Sequence, residues 1–95
     1  RRKDMPNLAI DLKLPLSATQ QVVLPANPTR QYAIFIKDAG TDVIRLAFGI
    51  PAVSGRGVRL NEAGSNYEIN STNLWRGSVH AVAESGTPDL IIQEW

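Results

Sequence analysis

Apolar and polar residues alternate with a period of two along most of the chain. Near its start, five apolar side chains share one parity: Leu8, Ile10, Leu12, Leu14 and Leu16. Because successive side chains of a β-strand point to opposite faces, this stretch predicts a strand with one buried and one solvated face. Pro15 has no N–H to donate to a sheet, which predicts that the strand lies at a sheet edge or ends there.

Residues 30–37 carry apolar side chains on both parities, which is typical of a strand inside a sheet. A turn at 38–41 follows, and the next alternating stretch, 43–48, is predicted to be the second strand of a hairpin. Five further segments are strand candidates: 21–24, 58–60, 66–69, 77–84 and 89–95. The segment 77–84 consists of small residues, which indicates close approach by another sheet or another chain.

Turn-forming residues separate these segments at intervals of about 8–12 residues, and helical spacing is not sustained over three turns anywhere. The sequence therefore predicts an all-β fold: an antiparallel β-sandwich, or barrel-like sandwich, of seven to eight short strands. We expect one domain over residues 8–95, preceded by an extended basic N-terminal arm at residues 1–7. The loop 49–57, rich in Gly and Pro, is the expected functional loop by position alone.

The charges divide unequally between arm and body. Ten Lys and Arg against nine Asp and Glu give a net charge of +1. The first four residues carry three basic and one acidic side chain, a net of +2, so the remaining seven basic and eight acidic side chains give −1. A nearly neutral body argues against a nucleic-acid-binding face. The arm is either a solvated terminus or an anchor to an acidic partner surface or nucleic acid.

Few side chains offer reactive chemistry. The chain has no Cys and one His, which excludes disulfides, Cys-ligated zinc and multi-histidine metal sites. His80 shares a parity with Ser78, but such a pair is not by itself a nucleophile and base, so we interpret His80 as a surface or interface imidazole. Asp38 and Asp42 could bind a cation weakly, although turn chemistry also explains them. We therefore expect no catalytic residues, no metal and no cofactor.

Contacts with a partner are the more promising role for the unusual residues. Trp75 follows a polar turn and precedes Arg76, while Trp95 is the last residue, and large aromatics and Arg are enriched where proteins meet. A chain of 95 residues without disulfides or metal is marginally stable, so oligomerisation or docking would add buried area. The predicted interface residues are Arg1, Arg2, Lys3, Leu8, Ile10, Leu12, Trp75, Arg76 and Trp95. No apolar run approaches the roughly 20 residues of a membrane helix, so we expect no membrane partner.

Three stretches carry a family resemblance: LPANPTRQYAIFIKDAGTDVIRLAFG at 24–49, GVRLNEAGSNYEIN at 57–70 and NLWRGSVHAVAESGTPDLIIQEW at 73–95. Over the span 24–95, about three quarters of its length, the chain resembles small virion structural proteins of tailed bacteriophages. Members look like compact β-sandwich modules that serve as capsid decoration (cement) proteins or as domains of tail and fibre components. The resemblance brings no active-site residues to this chain.

The resemblance implies a non-enzymatic capsid decoration protein at the virion surface. It would be a homo-oligomer, a trimer, that clamps neighbouring subunits of the major capsid protein, with no nucleic-acid partner. Its arm would extend a neighbour's sheet or lie across the shell. The alternatives are a tail, head–tail joining or fibre component, and a carbohydrate-binding sandwich module; an enzyme comes last.

Overall fold

Residues 10–95 form two antiparallel four-stranded sheets. A computed structural model describes the backbone of residues 10–95 and the side chains of residues 11–95. Within these residues the strands are β1 (Ile10–Pro15), β2 (Gln21–Leu24), β3 (Ala33–Lys37), β4 (Ile44–Phe48), β5 (Val58–Leu60), β6 (Asn66–Ile69), β7 (Val79–Ala83) and β8 (Asp89–Glu94). Each lies within a segment that the alternation predicts, so the predicted all-β sandwich is confirmed. The predicted arm at 1–7 lies outside the described residues.

The strand order explains two sequence features and corrects one prediction. Sheet A has the order β1-β8-β3-β6 and sheet B the order β2-β7-β4-β5. The strand that ends at Pro15 is an edge strand, and β3, apolar on both parities, is an interior strand, as predicted. The predicted hairpin of β3 and β4 is wrong, because the turn at 38–41 carries the chain from one sheet to the other. Alternation identifies the buried face of a strand but does not identify its neighbour.

The main core fills the space between the sheets. Both sheets contribute fully buried side chains on one parity, among them Phe35 on β3, Leu46 on β4 and Ile92 on β8. On β2 the pairing register shifts between Val22 and Leu24, so the two consecutive residues Val23 and Leu24 are both buried. Such a bulge bends an edge strand and breaks its strict alternation.

The loop 49–57, here termed the cover loop, lies against the outer face of sheet B. Its Ala52 is buried against Ala47 of β4 and Val82 of β7, in a cluster separate from the main core. The small side chains of β7 therefore face sheet A on one side and the chain's own cover loop on the other. Sheet A has no such buried cluster on its outer face within the described residues.

Candidate interaction site at the tryptophan end

One end of the sandwich gathers the described candidate interface residues other than Leu12. Ile10 pairs with Glu94, so the first described residue lies beside the last residue of β8. The loops before β3 and before β7 meet at the same end. This region, termed the tryptophan end, contains Trp75, Arg76 and Trp95 together with the segment around Arg30.

Arg30 is the centre of the tryptophan end. Its side chain is fully buried, and its Nε donates to Glu94 Oε2 at 2.6 Å. Its Nη1 donates to the carbonyl oxygens of Trp75 and Gly77, both at 2.9 Å, and its Nη2 to that of Pro25 at 2.8 Å. A guanidinium has five N–H groups in one plane, so these contacts fix three chain segments relative to one another. Because four of its five N–H groups bond to these acceptors, the buried ion pair is tolerated.

The backbone around Arg30 holds the other two candidates. Arg76 Nε donates to the Arg30 carbonyl oxygen at 2.9 Å, although the Arg76 side chain is exposed. The carbonyl oxygen of Trp95 accepts from the N–H groups of Gln31 and Tyr32, at 2.9 Å each. The structure therefore brings Trp75, Arg76 and Trp95 together around a single short segment.

Trp75 is partly exposed, at 37 %, yet its ring is held on three sides. Its Nε1 donates to the Ser78 carbonyl oxygen at 2.9 Å, and its ring stands edge-on to Phe48 at 6.4 Å between centroids. A Cβ at Gly77 would lie 2.5 Å from the indole, and one at Gly49 would lie 3.0 Å from it. The two glycines thus form the slot that fixes the ring.

Trp95 presents a second exposed indole, on the outer face of sheet A. It is 41 % exposed, and its ring lies 4.6 Å from that of Tyr32 at an angle of 43°. The Tyr32 hydroxyl donates to Glu68 Oε2 at 2.7 Å, and this hydrogen bond is the main reason that the pKa of Tyr32 is raised. Within residues 10–95 the two indoles contact different aromatic partners and not each other. They form two separate apolar contact points.

The remaining predicted interface residues belong to the arm and to β1. Four of them lie outside the described residues: Arg1, Arg2, Lys3 and Leu8. Ile10 is described only through its backbone pairing with Glu94. Leu12 is 38 % exposed, Leu14 is half-buried and Leu16 is buried. The burial of these leucine side chains therefore increases from Leu12 to Leu16. The prediction of one buried face is therefore correct only towards the end of the strand.

His80 belongs to a hydrogen-bonded line on the outer face of sheet B. Its Nε2 lies 3.1 Å from Ser78 Oγ, and its Nδ1 lies 3.1 Å from Gln20 Oε1. The same oxygen accepts from the Ala52 N–H at 3.3 Å, which ties the cover loop to β7. In this amide orientation Nδ1 carries the proton and Nε2 accepts from the serine. A neutral amide lacks the charge with which an Asp stabilises a catalytic imidazolium.

The two turn carboxylates engage different partners. Asp38 Oδ2 lies 3.3 Å from Lys13 Nζ, whereas Asp42 Oδ1 accepts from the Ser85 hydroxyl at 3.2 Å. Among residues 10–95, no three His, Asp or Glu side chains are grouped so that they could hold a metal ion. In the same part of the chain, no helix has the length and hydropathy to cross a membrane.

Sequence reasoning missed the buried charges. Glu94 continues the buried parity of Leu90 and Ile92 on β8, and Lys37 continues that of β3. Lys37 is fully buried at the opposite end of the sandwich, where its Nζ donates to the carbonyl oxygens at 39 and 40. A charged residue on an apolar parity is the signal that would have found both. Arg30 lies in a turn before β3, where alternation gives no information.

Comparison with protein-family models, with curated proteins and with solved structures found no match. The described residues show the fold class alone, a small all-β sandwich of two sheets.

Proposed function

We propose that this chain is a non-enzymatic structural protein of a tailed-phage virion. In this proposal it is a capsid decoration protein that sits on the outer capsid surface as a trimer and clamps neighbouring subunits of the major capsid protein. The observation that supports it most is the convergence of Trp75, Arg76 and Trp95 around the buried Arg30–Glu94 pair. Exposed indoles and guanidinium groups on a fixed frame are suited to docking on another protein.

Rigidity makes these side chains efficient contacts. Trp75 is immobilised by its hydrogen bond to Ser78 and by the slot between two glycines, and Trp95 is packed on Tyr32. Ordering a mobile side chain at an interface costs about 0.5–1.5 kcal/mol, and here that cost has been met on folding. A protein that must remain bound to a particle benefits from such preorganised contacts.

The arm supplies a second contact in this proposal. Because Ile10 lies beside Glu94, the chain enters the domain at the tryptophan end, close to Trp95. An arm that starts there extends the sheet of a neighbour or lies across the shell, while the indoles dock on a capsid subunit. Two contacts from one end of a small domain give the clamp its avidity.

The test uses purified virions that carry the full chain or a variant. We expect hundreds of copies per particle by quantitative mass spectrometry. Trp75→Ala and Trp95→Ala should each lower the copy number about tenfold or more, because truncation of a hot-spot Trp costs about 2 kcal/mol or more of binding free energy. Val53→Ala, on the cover loop, is the matched control and should leave occupancy unchanged, since Val53 is also an exposed apolar residue.

Particle images decide between locations. Absence of the chain from the capsid in a cryo-microscopy map rejects the decoration role. A copy number in multiples of three, six or twelve supports the tail, head–tail joining or fibre alternative. Equal release of the packaged genome on heating, with and without the protein, also contradicts a cementing role.

The exposed indole of Trp95, packed on Tyr32, supports a second candidate function, glycan binding. Aromatic rings on a sheet face offer apolar surface to a sugar, and contact would change the tryptophan fluorescence. A flat fluorescence response across a glycan panel rejects this candidate.

A further inference from the structure

The outer face of sheet A is an apolar stripe with no second layer over it in the described part of the chain. Ile34, Ile36 and Ile91 are half-buried along its centre, and Tyr32 and Trp95 form one end. None of these side chains belongs to either buried cluster. This surface, together with its charged rim, is termed the acidic face.

The rim of the acidic face carries an excess of negative charge. Strand pairing and turn positions place four carboxylates and one ammonium around the stripe: Asp11, Asp38, Glu68, Asp89 and Lys13. Their net charge is −3, from four acidic and one basic group. Lys13 lies between two of the carboxylates, 3.3 Å from Asp38 Oδ2 and 3.8 Å from Asp89 Oδ2.

The opposite side of the sandwich has the opposite sign. Arg56 on the cover loop and Arg59 on β5 are exposed there, while Arg45 is neutralised by Glu84 at 2.5 Å. A cationic segment is therefore attracted to the acidic face and repelled by the cover-loop side. The charge pattern alone selects one side of the molecule for such a segment.

We propose that residues 1–8 of a second copy of this chain bind along the acidic face. The first four residues have a net charge of +2, which complements the −3 of the rim, and Met5 and Leu8 supply apolar side chains for the stripe. The inference concerns contacts between copies and does not depend on docking to a capsid. An arm bound to a second copy does not lie across the shell, so this contact takes the place of the shell contact proposed above.

The direction in which the chain enters β1 favours a second copy over the same chain. From Trp95 to Asp89 the face spans six residue steps, about 20 Å, and eight extended residues span about 26 Å. Because β1 begins beside Glu94, the same chain must first reverse its direction to reach its own acidic face.

Exchange of arms has a consequence for assembly. Each copy gives one segment and receives another at a different surface, which makes the contact heterologous. Heterologous contacts close into a ring when the rotation between copies permits, and a trimer is one such ring.

The absence of cysteine from the sequence allows a clean cross-linking test on the full chain. A Lys3→Cys chain is mixed with a Gln93→Cys chain and oxidised mildly in the absence of any capsid. We expect a disulfide-linked heterodimer of about twice 10.4 kDa. It should form about tenfold or more faster than with an Arg59→Cys chain, the matched control on the opposite side. High salt should abolish the difference.

Two results overturn the inference. Equal rates with Gln93→Cys and Arg59→Cys show that the segment does not select the acidic face. A monomeric disulfide in the chain that carries both Lys3→Cys and Gln93→Cys places the segment on its own sheet. If Gln93→Cys does not fold, Asn66→Cys, exposed on the same face, replaces it. Because no particle is present, failure here is distinct from failure of the capsid proposal.

Discussion

Arg30 and Glu94 organise the tryptophan end through a single buried ion pair. The guanidinium bonds to the carboxylate and to three carbonyl oxygens, while Asn27 Nδ2 donates to the same carboxylate at 3.3 Å. Each partner compensates for the desolvation of the other, so loss of either leaves an uncompensated buried group. The position of Trp75 therefore depends on Arg30, which is itself fully buried.

Glu94→Gln removes the negative partner of Arg30 and keeps the shape of the side chain. We expect it to lower the free energy of unfolding by about 3–5 kcal/mol, because a buried guanidinium is left without its counter-charge. Urea denaturation followed by tryptophan fluorescence measures the change. Glu62→Gln, at an exposed turn, is the matched control and should change stability by less than about 0.5 kcal/mol. Equal effects of the two substitutions would contradict the assigned role.

Gly77→Ala tests the slot around Trp75. The added Cβ would lie 2.5 Å from the indole, so we expect a loss of about 1–3 kcal/mol in stability together with a change in fluorescence. In a Trp75→Ala background the same change should be nearly neutral, because the side chain it meets is gone. A cost that persists in that background would place the strain in the backbone rather than in the slot.

Individual residues differ in how far the sequence could predict them. Glu94 and Lys37 stand on apolar parities, so their burial was predictable in principle from the alternation. Trp75, Arg76 and Trp95 were recognised as unusual by residue type. Their common anchor, Arg30, was not, since its partners come from residues 75, 77 and 94 and no local pattern relates them.

At the scale of elements, the strands were predictable and several of their relations were not. Apolar segments bounded by turn residues located the eight strands within residues 10–95, although β2 and β7 do not bury residues on one parity alone. They could not reveal that β3 and β4 belong to different sheets, since both strands point their buried parity at the same core. The bulge of β2 and the position of the cover loop were also hidden, because they depend on contacts with residues distant in the sequence.

Glu84 should make the attachment of the cover loop sensitive to acid. Its carboxylate accepts from the Gly55 N–H at 2.7 Å and from Arg45 Nε at 2.5 Å, and these contacts, the first above all, lower the pKa of Glu84 below its ordinary value of 4.5. The unfolded chain then binds a proton at higher pH than the folded one. The stabilisation is complete above about pH 4.5 and is lost as pH falls through the lower folded value.

The matched variant for this prediction is Glu84→Gln. We expect the urea midpoint of the parent chain to fall more steeply below about pH 4.5 than that of the variant. In the same pH range, the Gly55 amide of the parent chain should lose its protection from hydrogen exchange. Parallel profiles from pH 7 to pH 2 would show that the carboxylate does not secure the loop.

At the scale of the whole molecule, the pairings join distant parts of the chain. The first strand pairs with the last, β1 with β8, and β8 also pairs with β3. Sheets of this kind form through long loop closures, which slow folding. Fold class was predictable because short strands and frequent turns leave few other architectures, but strand order was not, since it is set by these distant pairings.

Removal of residues 89–95 should abolish the fold. Without β8, sheet A loses the strand between β1 and β3, and the core loses Leu90 and Ile92. We expect amide resonances without dispersion and no cooperative unfolding transition. Removal of residues 1–7 takes away no described strand and is the control, which should keep a dispersed spectrum. A dispersed spectrum for the chain that lacks residues 89–95 would contradict the central role of β8.

The place of β8 also sets the order of events during synthesis. Translation delivers β1 first and β8 last among these strands, so β1 has no partner in sheet A until β8 has been made. Sheet A is complete only when β8 has left the ribosome and paired with both β1 and β3. Until that moment the nascent chain exposes unpaired edges, and any product cut short before β8 is a natural target for proteases and chaperones.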